Sequence, residues 1–182
     1  MTLRLFAAAP IPEEIAERLL QLEADVPGAS WRDAEQYHLT LRFFGDMDEA
    51  LARDLDHELG EIIEAPFEIR LAGAGSFGGR EPTALWAGVE APPALTRLAA
   101  ACEKAARRAG LTPEPRKFKP HVTLAYCHGT SDYDAAQFQE FATSFRTDPF
   151  WIDRFYLFSS RPTKHGSRYE IEAEYPLTGV SG

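Results

Sequence analysis

The sequence predicts an α+β protein with antiparallel sheets, arranged as two similar lobes within a single domain over residues 1–182. Three observations carry this. Predicted strands and helices are mixed, with hairpin-like strand pairs in place of a strict βα alternation. The order of elements in the first half is repeated in the second with different residues. The chain of 182 residues, 45% hydrophobic and 12% aromatic, is enough for one buried core and too short for two ordinary domains.

Residues 3–9 (LRLFAAA) predict a buried strand that stops at Pro10. Pro12-Glu13-Glu14 opens an amphipathic helix to about residue 24, with proline and acids placed where a helix N-terminus favours them, and Pro27-Gly28 ends it. Residues 37–45 (YHLTLRFFG) alternate polar side chains with apolar and aromatic ones and predict a strand. A helix over 49–64 follows, with Leu51, Leu55, Leu59 and Ile62 on one face. Residues 67–72 and 85–89 predict two strands around a glycine-rich loop. Beyond them come a helix over 93–109, a proline-marked link over 111–115, a strand over 121–126 and a helix over 133–145. Two closing strands are predicted over 151–159 and 168–177.

Charge narrows the function classes. Lys and Arg number 19 against 28 Asp and Glu, a net −9, which excludes a protein that grips duplex nucleic acid by neutralising phosphates over a broad surface. A small site for one phosphate survives that exclusion. From Lys104 to His121 the chain carries six cations against Glu114 alone, either a solvated helix face and loop or a positive field where an anion docks. The apolar start is too short for a signal peptide and holds Arg4, and no run reaches the 18 or so apolar residues of a membrane span, so the expected compartment is the cytoplasm. Cys102 and Cys127 form neither a disulfide framework nor a C-x-x-C metal pair.

Two short strings match each other: His38-Leu39-Thr40-Leu41 and His121-Val122-Thr123-Leu124. Both read H-x-T-L with an apolar x, and both fall on predicted strands. Side chains two apart on a strand point to one face, roughly 6–7 Å apart, so each string offers an imidazole beside a hydroxyl. With 11 Thr and 18 Leu in the chain, two such hits among five histidines arise by chance in about 4 of 10,000 sequences of this composition. A lone histidine on a strand is more often a satisfied core residue, and a lone threonine an ordinary strand former. Recurrence at matched positions inside apolar strands, where unpartnered polar groups are costly, reverses that preference. Two imidazoles suit proton transfer at a phosphoester: one takes a proton from water, and the other gives one to the leaving oxygen. The threonine hydroxyls suit the non-bridging oxygens.

The doubled motif, together with the segments LRLFAAAPIPEEI, YHLTLRFFGDMDE, GAGSFGGREPTALWAGVE, KFKPHVTLAY and FYLFSSRPTKHGSRYEIEAEYPL, resembles the two-histidine phosphoesterase superfamily over nearly the whole chain. Within it the chain is similar to the LigT-like RNA 2',3'-cyclic phosphodiesterases, also called 2',5' RNA ligases. The resemblance implies two pseudo-twofold-related lobes and a central cleft where His38, Thr40, His121 and Thr123 face each other. It implies as substrate an RNA or nucleotide end with a 2',3'-cyclic phosphate, opened to a 2'-phosphate, and in some members a reversible joining of RNA ends through 2',5' linkages. It implies no cofactor, no metal and no membrane partner, and a monomer is expected. Five residues after each histidine the family commonly has an aromatic residue and an arginine that flank the base, the arginine also reaching the phosphate. Here these positions hold Phe43 and Tyr126, so the usual cation is missing, and Lys119 and Arg42 each read either as its replacement or as a surface residue. The alternatives are a binding module for RNA ends without turnover, or a related enzyme acting on 2',5'-oligoadenylate.

Other signals are weaker. Gly73 to Gly78 matches G-x-G-x-x-G, but a strand follows it where a dinucleotide site needs a helix, so it reads as a loop near the cleft from which Phe77 and Arg80 reach substrate at most. His57 stands in an acidic helix, and His128 and His165 stand in turns. A zinc site from His38, His121 and a carboxylate has no H-x-H or H-x-x-x-H spacing behind it.

Overall fold

The computed structural model describes residues 2–180. Its elements in chain order are β1 (Thr2–Pro10), α1 (Glu13–Leu20), β2 (Ala29–Trp31), a single 3-10 turn (Ala34–Gln36), β3 (His38–Asp48), α2 (Glu49–Gly60), β4 (Phe67–Phe77), β5 (Ala84–Glu90) and α3 (Pro93–Ala109). There follow β6 (His121–Cys127), α4 (Asp132–Phe141), β7 (Phe150–Ile152), β8 (Arg154–Thr163) and β9 (Gly166–Pro176). Local chemistry sets several boundaries. Asp48 caps α2 by accepting the Leu51 amide at 2.8 Å, and Ser131 caps α4 by accepting that of Asp134 at 3.0 Å. Prolines 92 and 93 open α3, and Gly110, at φ 101°, closes it in the left-handed conformation.

The predicted α+β class with antiparallel pairing holds, and the lobes join more intimately than expected. The strands form one path, β7-β4-β5-β6-β3-β1-β8-β9, with every neighbour antiparallel and β2 added alongside β6. Four strands stand on either side of the β6–β3 contact. The lobes are therefore not the two halves of the chain: β1 pairs with both β3 and β8, which brings the N-terminal and C-terminal strands into one lobe, while β4 to β7 build the other.

The main core lies between the sheet and the helices. It takes Leu95, Leu98, Cys102, Ala105 and Ala106 from one face of α3, and Leu39, Leu41, Val122 and Leu124 from the motif strands. A second, smaller cluster of Phe6, Ala8 and Phe158, with Tyr156 and Tyr169 packed against it, is separate from that core. The alanines of β1 serve this arrangement, since Ala7, Ala8 and Ala9 are fully buried in a strand covered on both sides.

Five predicted elements need correction. Gly73 to Phe77 is not a loop but the end of β4, distorted between Leu71 and Ala74. Glycine is required there because a Cβ on Gly75 would stand 2.3 Å from the Trp86 ring. The strand predicted over 151–159 divides at Asp153 into β7 and β8, which pair with strands on opposite ends of the sheet. The helices α1, α2 and α4 end earlier than predicted.

Candidate active site

The two motif strands meet at a single residue pair, Leu39 with Val122, the apolar x of each H-x-T-L string. Antiparallel register then sets His38 toward Thr123 and Thr40 toward His121. Leu39 and Val122 are fully buried on the core side, so all four polar side chains face the other way.

Each strand is bulged at the same place. β3 pairs Ala7 with Arg42 and Ala8 with Thr40, skipping Leu41, and β6 pairs Leu85 with Ala125 and Trp86 with Thr123, skipping Leu124. The first seven residues of the two strands show one burial sequence, in which positions 1, 3 and 6 are turned outward. Hence His38, Thr40 and Phe43 share a face, as do His121, Thr123 and Tyr126, although an unbroken strand would put positions 1 and 6 on opposite sides. Phe43 and Tyr126 are 44% and 45% exposed. Both expected aromatic positions are thus presented beside the motifs.

The same bulge corrects the expectation for Arg42. Simple alternation turns it toward substrate with Thr40, but its side chain is 8% exposed and lies on the core side. There its Nε donates to Glu103 of α3 at 2.6 Å, and its two terminal nitrogens donate to the carbonyls of Phe43 and Thr112. Burial opposes the Glu103 charge, yet hydrogen bonds from Arg42, the Glu114 amide and Arg107 hold its pKa below the usual carboxylate range. Arg42 is committed to the fold. The positive stretch before His121 is also partly consumed, since Arg107 pairs with Glu103 and Arg116 with Glu114, each at 3.0 Å.

Lys119 does arrive at the site. Its Nζ stands 4.9 Å from the Trp86 ring centroid and 5.5 Å from that of Phe77, both of which flank His121. Its carbonyl oxygen is 2.7 Å from His121 Nδ1. A carbonyl only accepts, so Nδ1 carries the proton and Nε2 is left free on the motif face. The backbone of Gln36, likewise two residues upstream, raises the His38 pKa against burial.

Aromatic rings wall both imidazoles. Phe158 lies 4.4 Å from His38 between centroids, with Tyr169 at 5.2 Å and Phe6 at 5.9 Å, and Phe77 lies 4.8 Å from His121. Phe158 and Phe77 hold equivalent places, each on the strand two away from its motif strand. Burial pushes the His38 pKa down to about 4, with a smaller push from the charge of Arg32, against the opposing Gln36 bond. Burial and the charge of Lys119 lower His121 as well, against its bond to the Lys119 carbonyl. The hydroxyls of Thr130, Thr143, Thr147 and Thr163 each donate to a backbone carbonyl, whereas those of Thr40 and Thr123 have no protein partner among the described residues. The site therefore holds two imidazoles and two uncommitted hydroxyls between aromatic walls, with cations at its rim.

Sequence reasoning missed Arg32, Trp86, Phe158 and Tyr169. Trp86, Phe158 and Tyr169 fall within the quoted resembling segments without being singled out there, Arg32 lies outside them, and sheet pairing is what brings them beside the histidines. Arg80 has no hydrogen-bond, ion-pair or ring contact at the site among the described residues. No group of three or more His, Cys, Asp or Glu that could hold a metal occurs among those residues either.

Comparison with known proteins agrees with this architecture. The family described as the 2'-5' RNA ligase superfamily matches residues 11–163. A protein of Aquifex aeolicus named RNA 2',3'-cyclic phosphodiesterase is 34% identical over 175 residues, 91% of this chain and 91% of its own. One of the same name from Geobacillus stearothermophilus is 28% identical over 96% of this chain and 57% of its own length. Among solved structures, E. coli LigT complexed with 3'-AMP superimposes with a TM-score of 0.82 at 26% identity, covering 98% of this chain and 99% of that one. The protein TT0787 of Thermus thermophilus does so at 0.80 and 26%, covering 98% and 100%. With the doubled H-x-T-L strings on paired, identically bulged strands, and with a family match over most of its length, the chain belongs to the 2'-5' RNA ligase superfamily of two-histidine phosphoesterases.

Proposed function

We propose that this protein hydrolyses the 2',3'-cyclic phosphate at an RNA or nucleotide end to a 2'-phosphate, using His38 and His121 as its base and acid. The observation that carries the reading is the bridge at Leu39 and Val122, which sets two imidazole–hydroxyl pairs on one face. The names of the relatives and the nucleotide bound to E. coli LigT support the same substrate class.

The two histidines differ in a way that supports an assignment of roles. His38, with a pKa pushed down to about 4, is neutral at ordinary pH and takes the proton of the attacking water. His121, lowered but held by its bond to the Lys119 carbonyl, gives a proton from Nε2 to the 3' oxygen as the phosphorus–oxygen bond breaks. The bound phosphate carries negative charge and draws both imidazoles toward protonation, which supports the imidazolium form of the acid. Thr40 and Thr123 donate to the non-bridging oxygens as charge builds on them. Phe43 and Tyr126 give the base an aromatic surface, and Lys119 adds positive potential beside His121. Joining RNA ends through a 2',5' linkage runs the same transfer with a ribose hydroxyl as partner.

The test is hydrolysis of a nucleoside 2',3'-cyclic phosphate, with the product identified, by the unmodified protein and by His38→Ala and His121→Ala. Each substitution is expected to lower kcat at least about 100-fold. A folded variant that keeps near-full activity refutes the mechanism, and binding without turnover by the unmodified protein favours a binding module.

A further inference from the structure

We propose that Arg32 is the cation that binds the substrate phosphate from the His38 side, oriented for the task by Tyr126 and Tyr169; this rests on the proposed phosphodiesterase reading and adds a residue to it. Arg32 follows β2, and its amide donates to the Leu124 carbonyl at 2.8 Å, which ties its backbone to the motif strand one residue past Thr123. Its side chain then crosses to the other lobe. Nη2 donates to the Tyr169 hydroxyl at 2.7 Å, and the guanidinium carbon stands 5.0 Å from the Tyr126 ring centroid and 5.9 Å from that of Tyr169. Tyr169 packs on His38, and Tyr126 shares the face of His121 and Thr123. The guanidinium is thus held between the two halves of the site.

Its lack of an acid partner points to an external anion. In a chain with net charge −9, nine of the fifteen arginines reach a carboxylate within 4.0 Å; among the described residues Arg32 does not, and of the arginines without such a partner it is the one that stands against a ring packed on His38. Only one of its five N–H groups has a protein acceptor among those residues. A planar fork with free donors, fixed on one ring and hydrogen-bonded to the hydroxyl of another, is ready to meet two phosphate oxygens without losing much side-chain freedom. Its charge also helps to keep His38 in the neutral form.

The geometry separates Arg32 from Lys119. Lys119 stands over Phe77 and Trp86 on the His121 side, and Arg32 stands over Tyr126 and Tyr169 toward His38. A phosphate between the imidazoles then meets a cation on each flank. The ring of Tyr126 serves partly as the platform for Arg32, so only its opposite face is offered to a base.

The experiment compares Arg32→Met and Arg32→Lys with the unmodified protein, measuring KM and kcat on a nucleoside 2',3'-cyclic phosphate, direct binding of inorganic phosphate, the salt dependence of both, and the melting temperature. Arg32→Met is expected to weaken phosphate binding and raise KM by about 10-fold to 100-fold, the worth of one charge-assisted contact. It is also expected to flatten their salt dependence, and Arg32→Lys to recover part of the loss. Tyr169→Phe, which removes only the orienting hydroxyl, is expected to raise KM by a smaller factor and serves if Arg32→Met does not fold. Phosphate binding and KM unchanged within about twofold, with only the melting temperature lowered, overturn the proposal and make Arg32 a structural staple between two tyrosines. Phosphate binding that depends on Arg32 in a protein that turns over no cyclic phosphate defeats the proposed activity and leaves this assignment standing.

Discussion

Replacing Arg42 with methionine tests whether the β3 bulge turns this residue toward the core. The change removes donors from the Phe43 and Thr112 carbonyls and the 2.6 Å bond to Glu103. Two carbonyls left without donors cost about 1–3 kcal/mol each when they are fully buried. Glu103 retains Arg107 and the Glu114 amide, each at 3.0 Å, so its carboxylate is not orphaned and the penalty stays below the roughly 3–5 kcal/mol of a wholly broken buried pair. Methionine also recovers some apolar packing at an 8% exposed position. The expected net loss is about 2–4 kcal/mol, a melting decrease on the order of 10 °C for a chain of this size. Calorimetry measures this, and steady-state kinetics on a cyclic phosphate are expected to show KM unchanged within about twofold. A variant that melts within about 2 °C of the unmodified protein and has a KM raised tenfold would falsify the bulged register and return Arg42 to the substrate face.

Two further predictions follow from the same geometry. For the free protein, kcat/KM is expected to rise with pH through about 4 as His38 becomes neutral, and to fall again below the ordinary imidazole value of 6.5 as His121 loses its proton; a profile with no descending limb up to pH 9 would show that neither histidine acts as the acid. The limbs of kcat lie at higher pH than those of kcat/KM, because bound phosphate favours the protonated rings. Gly75→Ala puts a Cβ 2.3 Å from the Trp86 ring and must displace it, at about 1–3 kcal/mol. Since that ring flanks His121 and carries Lys119, kcat is expected to fall along with the melting temperature; no change in either places Trp86 outside the working site.

Much of the fold was legible because local signals agreed with the tertiary outcome. Proline and glycine bracket α3 at the residues where the structure starts and stops it, and the motif strands read as strands from composition alone. Long-range pairing decides the rest. Gly73 to Phe77 looks like a loop because glycine usually marks one, yet it is strand under the Trp86 ring. Arg42 reads as a replacement for the missing cation or as a surface residue, and a bulge that leaves no mark in composition turns it to the core side. Arg32 looks like any loop cation until Tyr126 and Tyr169, from distant parts of the chain, close around it.

Residue types and short spacings were enough to establish the α+β class and to single out the two matched H-x-T-L strings. Apolar periods of two and of three to four mark the elements, and an imidazole and a hydroxyl two positions apart, written twice, mark the site. Folding added which strands join into one sheet, that the lobes meet at Leu39 and Val122, and which cations remain unpaired beside the histidines. The physical reason is that register, bulge position and ion pairing are settled by partners far away in sequence. In an acidic chain with net charge −9, charge composition cannot distinguish an arginine bound to Glu103 from one that meets no carboxylate among the described residues.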